Sequence, residues 1–336
     1  MTMKPLRIAI PDDYQNCVRS LACFAKLAGH QVTVFNDTLH DVEALAERLQ
    51  NFDALVLTRE RTAISAALLE RLPQLRVISQ TGKVAEHIDI AACTARGVAV
   101  VDGRGSGAAT AELTWALVLA SRRHLVEEVN RLKAGQWQGR LGQQLSGQRL
   151  GVWSYGRIGR QIAAYGRVFG MKVWVWGREA SLADARADGF EVAPSREAFF
   201  AGSDVLSLHV RLNAQTRGLI TAADLARMRP DALFVNTSRA ELVAEGALAA
   251  ALVQGHPGFA AVDVYESEPV LGAQHPLVQH PRALCTPHIG YVERDNYELY
   301  FGTAFDNLNA FAAGQSHNLV NPEVLTTDHS ARRQGV

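Results

Sequence analysis

Three strand-ending segments of this chain carry side chains able to do chemistry. FVNTSRAELV (234–243) holds Arg239, AVDVYESEP (261–269) holds Asp263 and Glu268, and CTPHIG (285–290) holds His288. Each ends an apolar strand and turns polar. In an open parallel sheet, residues just past the carboxyl ends of strands face one crevice, so these four side chains are expected to converge. An Arg offers a planar donor fork that matches a carboxylate bidentately, which Lys does not. An imidazole titrates near neutral pH and suits general acid and base work. Upstream, LGVWSYGRIGR (150–160) reads as a buried strand, a tight turn and a helix opening at Arg157, with MKVWVW (171–176) as the next strand. Gly156 and Gly159 fill the second and third positions of G-x-G-x-x-G, and Ser154 stands in the first. Such a turn presents N–H groups of a helix N-terminus to a pyrophosphate, with glycine where a Cβ would collide.

The rest of the chain supplies the elements to position them. Apolar, β-branched runs at 6–10, 31–35, 54–57, 76–79 and 98–101 predict strands, and helical spacing is read at 16–28, 41–49 and 65–72. Further strands are expected at 190–192, 204–208, 232–236, 259–262 and 283–285, and helices at 180–188, 195–201, 221–228 and 244–253. This alternation predicts parallel sheets with helices on both faces. The first unit has Pro11-Asp12-Asp13 where a phosphate-binding glycine loop would stand, so the cofactor is expected in the second. Ser106 is read as the N-cap of one long helix ending at Gly135, kinked near Ser121, and 291–314 as a second. Two lobes joined by two long helices imply a ligand cleft between them. The stretch 326–336 is polar and expected to fray.

The 336 residues suggest two domains at about 150 residues each. Lys plus Arg and Asp plus Glu both number 34, which gives no electrostatic case for nucleic acid or an anionic membrane. No apolar run has the length of a spanning helix, and Asp12 and Asp13 interrupt any signal peptide, so a cytoplasmic protein is expected. The four cysteines show no metal-ligand spacing, so no metal is expected.

In order and spacing the segments resemble the D-isomer-specific 2-hydroxyacid dehydrogenases, whose landmarks are a glycine fingerprint, S-L-H-x-P, N-x-x-R-G, D-V-F-x-x-E-P and T-P-H-x-G. After the fingerprint they stand here as LSLHVRL, NTSRAELV, DVYESEP and TPHIG, within a likeness running from TGKVAEHIDIAACTARGVAV (81–100) to NLVNPE (318–323). Any one of these residues has an ordinary structural account; their joint order does not. The resemblance implies an α/β fold of two doubly wound parallel-sheet domains. A Rossmann NAD(P)-binding domain, 105–295, would be inserted in a flavodoxin-like substrate domain, 1–104 and 296–336. It implies hydride transfer between a nicotinamide cofactor and a 2-oxo acid/D-2-hydroxy acid pair. Arg239 would grip the substrate, His288 would act as acid and base, and Glu268 would hydrogen-bond the imidazole. Ser154, Gly156, Arg157, Ile158 and Gly159 would cradle the pyrophosphate, and Gly177 and Arg178 would meet the adenosine ribose. His209, Thr216, Thr237, Ser238, Asp263 and Gly290 would complete the cofactor site, Asp263 at the carboxamide end. Thr81, Gly82, Lys83 and Val84 align with the loop whose amides hold the substrate carboxylate. Lys83 either adds charge there or is an exposed surface residue.

Departures from the pattern sharpen the cofactor question. The ribose-binding acid is replaced by Gly177, and Arg178 follows, as suits a 2′-phosphate, whereas Glu179 would repel one. The lean is to NADP over NAD. Arg211 replaces the usual Pro, touching substrate or phosphate or else facing solvent; Ala240 replaces Gly; and Thr110-Ala111-Glu112-Leu113 lacks the His of V-A-E-H. Two other readings compete with the dehydrogenase. One is an NAD(P)-sensing corepressor-like binding protein of the same fold. The other is a formate dehydrogenase, against which Glu268 stands in place of Gln. The resemblance also implies a homodimer through the 125–150 arm, with Trp137 and Leu141 as its apolar contacts.

Overall fold

The computed structural model describes residues 4–315 and 317–326. Past Thr326, the expected fraying falls outside the described residues. The chain divides into two compact units, one of residues 1–106 and 294–336 and the other of residues 107–293. None of the described helices is long and apolar enough to cross a membrane.

The first unit alternates strand and helix: β1 (Arg7–Ile10), β2 (Gln31–Val34), α1 (Val42–Leu49), β3 (Ala54–Leu57), α2 (Ala66–Glu70), β4 (Val77–Gln80), α3 (Ile90–Ala95) and β5 (Ala99–Val101). Its sheet is parallel throughout with order β2-β1-β3-β4-β5, the flavodoxin-like order. Every residue of β3 and β4 is buried, as continuous apolar runs require when helices cover both faces, while β2 at the edge alternates. Asp41, Ser65 and Asp89 cap the three helices by accepting from the backbone three residues on.

The second unit follows with α4 (Ala108–Arg122), α5 (Leu125–Lys133), β6 (Arg149–Trp153), α6 (Arg157–Val168), β7 (Lys172–Trp176), α7 (Glu179–Ala187) and β8 (Glu191–Val192). It continues with α8 (Arg196–Gly202), β9 (Val205–Leu208), α9 (Ala222–Leu225), β10 (Leu233–Asn236), α10 (Ala247–Gln254), β11 (Phe259–Val262) and β12 (Ala283–Cys285). The seven strands are parallel in the order β12-β11-β10-β9-β6-β7-β8, so strand order reverses between β6 and β9, as in a Rossmann sheet. Apolar clusters pack both faces, one around Phe199, Phe200 and Phe234 and the other around Trp115, Ile162 and Val235. Finally α11 (Arg294–Ala312) returns to the first unit.

Two expected helices differ. The long helix breaks in two: α4 starts after Gly107, so Ser106 is not its cap, and His124 takes a left-handed φ of 51° before α5. Arg122 explains the break. Its buried guanidinium donates to the backbone oxygens of Asp204 and Asp231 and to Gln143 Oε1, which pins the helix end to the sheet. Apolar spacing runs on through a single left-handed residue and does not reveal it. The helix read at 16–28 is two 3₁₀ turns, Val18–Ser20 and Ala22–Leu27. Asp13 accepts from the N–H groups of Cys17 and Val18, and Glu298 from those of Ala22 and Cys23, so two carboxylates cap two separate turns.

Candidate active site

In the second unit the strand register lines up Trp176, Trp153, Leu208, Asn236, Val262 and Cys285 in one row across the sheet. The next residue on each strand is Gly177, Ser154, His209, Thr237, Asp263 or Thr286, so parallel pairing alone collects these segments at one edge.

The turn after β6 is built by close approach. Ser154 has φ 78°, a left-handed conformation that favours glycine, and its N–H donates to Trp176 O at 2.7 Å. A Cβ on Gly159 would collide with the Ser154 carbonyl, so the third glycine is required for α6 to approach β6. A Cβ on Gly156 would meet nothing within 4 Å; the space over the turn is open. The first-turn N–H groups at Arg157 and Ile158 have no carbonyl one turn back within α6 to accept them. Open space over the amides of a helix N-terminus fits a pyrophosphate. Tyr155, between the two positions, is buried and donates to Asp188 Oδ2 at 2.9 Å.

At the end of β7, Gly177 lies against the Ser154 backbone, and Arg178 is the exposed N-cap residue of α7 with no side-chain cap bond. Glu179 pairs with Arg186 at 2.7 Å along α7, with both side chains exposed. His209 follows β9, its Nε2 3.0 Å from Ser207 Oγ, and burial pushes it down to about 3, so it is neutral at physiological pH. Thr216 closes its own loop, donating to Arg211 O at 2.8 Å; Arg211 is exposed. After β10, the Thr237 hydroxyl meets that of Thr114 at 2.7 Å, Ser238 Oγ donates to Leu208 O, and Arg239 Nη1 donates to Ser238 O at 2.6 Å.

The structure brings three of the expected residues together most closely. His288 Nδ1 lies 2.6 Å from Glu268 Oε2, while Glu268 Oε1 accepts from the Tyr265 N–H at 2.9 Å. The carboxylate assigns the proton to Nδ1, leaving Nε2 as the reactive nitrogen. His288 sits at φ 50° in a turn held by Asp263, which is fully buried and accepts from Thr286 Oγ1 at 2.6 Å and from the N–H groups of Ile289 and Gly290 at 2.8 Å each. Burial pushes Asp263 up, against those hydrogen bonds and the nearby His288. A Cβ on Gly290 would crowd Asp263 Oδ2 at 3.0 Å. Sequence reasoning missed three supports: Tyr265, donating to Thr286 O; Asn236, which ties the Ser238 and Arg239 backbone; and Thr110, donating to Gly290 O. Each stands in or beside a quoted motif, but a hydroxyl or amide inside a motif carries no sign of its partner.

In the first unit, Thr81 is buried and accepts from the Arg59 N–H, and Gly82 has φ 85°. Lys83 Nζ is 2.6 Å from Asp102 Oδ2 and Val84 N–H donates to Asp102 Oδ1, so the exposed Lys83 pairs with a carboxylate just past β5. Arg59 and Arg61, at the end of β3, were not anticipated, though two arginines past a buried strand are a visible signal. Arg59 reaches the space beside Gly82, and Arg61 donates to Asp12 O at 2.5 Å. No cluster of His, Cys, Asp and Glu among the described residues could hold a metal.

Residues 115–290 match the family profile described as D-isomer specific 2-hydroxyacid dehydrogenase, NAD binding domain. The chain is 36% identical over 295 residues to a glyoxylate reductase of Aeropyrum pernix, covering 84% of this chain and 87% of that one. It is 37% identical over 248 residues to 4-methyl-2-oxopentanoate reductase A of Aspergillus oryzae, covering 71% and 74%. A crystal structure of a phosphoglycerate oxidoreductase from Vibrio cholerae superposes with a TM-score of 0.90 at 54% identity, covering 92% of this chain and 99% of that one.

His209 generates a pH prediction. Its folded-state value of about 3 lies below the ordinary 6.5. As pH falls from 6.5 toward 3, the unfolded chain takes up a proton that the folded chain does not. Stability is therefore lost on acidification, by up to about 1.4 kcal/mol per pH unit. Denaturant titrations between pH 4 and 7 should show a shallower slope in His209→Gln than in the wild type.

Proposed function

The chain belongs to the D-isomer specific 2-hydroxyacid dehydrogenase family, and we propose that it reduces a small 2-oxo acid to the D-2-hydroxy acid, with NADPH preferred as reductant. The His288–Glu268 pair carries this reading: an imidazole held by a carboxylate on one nitrogen has the other available to move a proton. When bound, the nicotinamide supplies the hydride. His288 Nε2 would deliver the proton to the carbonyl oxygen and recover it in the reverse reaction. Glu268 fixes the ring orientation. Arg239 would grip the substrate with its planar fork and polarise its carbonyl. The amides of the Thr81–Val84 loop would take the carboxylate; with Lys83 tied to Asp102, Arg59 supplies the positive charge beside it.

For the cofactor, Ser154, Gly156, Arg157, Ile158 and Gly159 would form the pyrophosphate cradle, and His209, Thr216, Thr237, Ser238 and Gly290 would line the nicotinamide side; Asp263, fully buried, holds the 286–290 turn instead of meeting the carboxamide. Arg178, exposed at the end of β7, suits a 2′-phosphate, and the exposed Glu179–Arg186 pair only partly offsets the carboxylate that would oppose it. A cytoplasmic protein fits these cofactors. The surface also favours a second copy of this chain. Leu125, Val126, Val129 and Leu132 of α5, with Trp137 and Leu141 of the following arm, are all exposed, an apolar patch of the kind that marks an association surface.

Three outcomes test the reading. His288→Gln should lower kcat with glyoxylate at least about a thousandfold and leave cofactor affinity within threefold; near-normal turnover would remove His288 from the mechanism. Fluorescence titration should give a lower Kd for NADPH than for NADH, and Arg178→Ala should erase the difference; tighter NADH binding by the wild type would reverse the assignment. Light scattering should report twice the chain mass for the wild type and a monomer for Val129→Glu; a monomeric wild type ends the dimer proposal.

A further inference from the structure

Helix α11, packed against β4, has a role that the family landmarks leave unassigned. Along α11, Asn296, Tyr300, Ala304 and Asn307 recur at helical spacing on one face. Each meets the segments at the carboxyl ends of β4 and β5. Asn296 Oδ1 accepts from Ser106 N–H at 2.9 Å, Ala304 O accepts from Ser79 Oγ at 3.0 Å, and Asn307 Nδ2 donates to Asp102 O at 2.8 Å. These three bonds fix the height and rotation of the helix, and they set Tyr300 opposite the Gly82 turn.

Tyr300 is 7% exposed and fills a slot that two glycines leave open. A Cβ on Gly105 would run into the ring edge, 2.5 Å from Cζ and 2.6 Å from the hydroxyl, and one on Gly82 would lie 3.0 Å from Cε1. Behind the ring the chain is packed backbone to backbone: Gly103 N–H donates to Gly82 O at 2.7 Å, and a Cβ on Gly103 would fall 2.6 Å from Gly82 N. The ring therefore forms the outer wall of the loop. On its other side stands Arg59, its guanidinium carbon 5.5 Å from the ring centroid. The Arg59 backbone is held at φ 55°, with its N–H on Thr81 Oγ1 and its carbonyl on Gln80 Nε2, both at 2.8 Å. With the backbone held at both ends, the side chain takes its direction from the groups it packs against, the ring on one side and Glu60, whose Oε1 lies 3.8 Å from Arg59 Nη2.

We infer that Tyr300 is a positioning residue, which holds the Gly82 turn and the Arg59 guanidinium in register for binding a 2-oxo acid carboxylate. This rests on the proposed role of the Thr81–Val84 loop. Tyr300→Phe keeps the ring and its face; Tyr300→Leu removes the face. With glyoxylate as the probe, saturating NADPH and the full chain, Tyr300→Leu should raise KM about tenfold, keep kcat within threefold and leave the cofactor Kd unchanged. Tyr300→Phe should stay within twofold of the wild type in all three. A Tyr300→Leu KM within twofold of the wild type, or parallel losses of kcat and cofactor affinity, overturns the inference alone. Should the Leu variant not fold, Tyr300→Met carries the same expectation and the same overturning results. A wild type that turns over no 2-oxo acid overturns the proposed reaction, and the inference with it.

Discussion

The buried carboxylate of Asp263 is costly to desolvate, and the rest of the proposed chemistry depends on how that cost is met. Its oxygens take a hydroxyl hydrogen from Thr286 and two backbone N–H groups from Ile289 and Gly290. Those donors span the turn that contains His288, so the carboxylate dictates the path of the chain through 286–290. Without it, a left-handed His288 would have no reason to persist. Glu268 then needs only to meet a ring whose position is already fixed, and its second oxygen is anchored to the Tyr265 N–H. One buried charge organises the backbone, and a second, more exposed one orients the side chain. The order of these two effects follows from their burial.

The turn after β6 would solve a different problem, meeting an anion chiefly through its backbone. Its donors are amide groups, and what the sequence must supply is room. Gly159 gives room to the strand behind it and Gly156 to whatever stands over the turn, whereas Ser154 keeps a side chain in a conformation that costs about 1 kcal/mol or more outside glycine. The strain is tolerated because Ser154 is held by the bond from its N–H to Trp176 O, and its neighbour Tyr155 is fastened to Asp188.

The strands were legible because a strand buried on both faces is a short, mostly apolar run, as in β3, β9, β10 and β11, where only Ser207 and Asn236 interrupt. The convergence of Arg239, Asp263, Glu268 and His288 segments followed from parallel pairing, which needs no knowledge of contacts. Less was visible where one side chain decides the backbone. Arg122 ends α4 by reaching carbonyls more than eighty residues away in sequence, and Glu298 caps a turn near the amino terminus. Local periodicity has no access to either. The same holds for Lys83, whose partner Asp102 stands past β5, and for Asp263, whose oxygens serve their own loop.

In the proposed reading, the two units would use the same edge of the same kind of sheet for different recognition. Past β6 the donors are neutral amides over open space, suited to a group whose charge is spread over two phosphates. Past β3 and β4 the donors are amides backed by Arg59, suited to a single compact carboxylate that a bare turn would hold poorly. A strand edge of this sort specifies only where a ligand is met. What the ligand is depends on whether the turn residues are small enough to admit it and on whether a fixed cation stands beside them. Gly82 and Gly105 do both for the first unit, since the volume they leave admits the ring on which that cation rests.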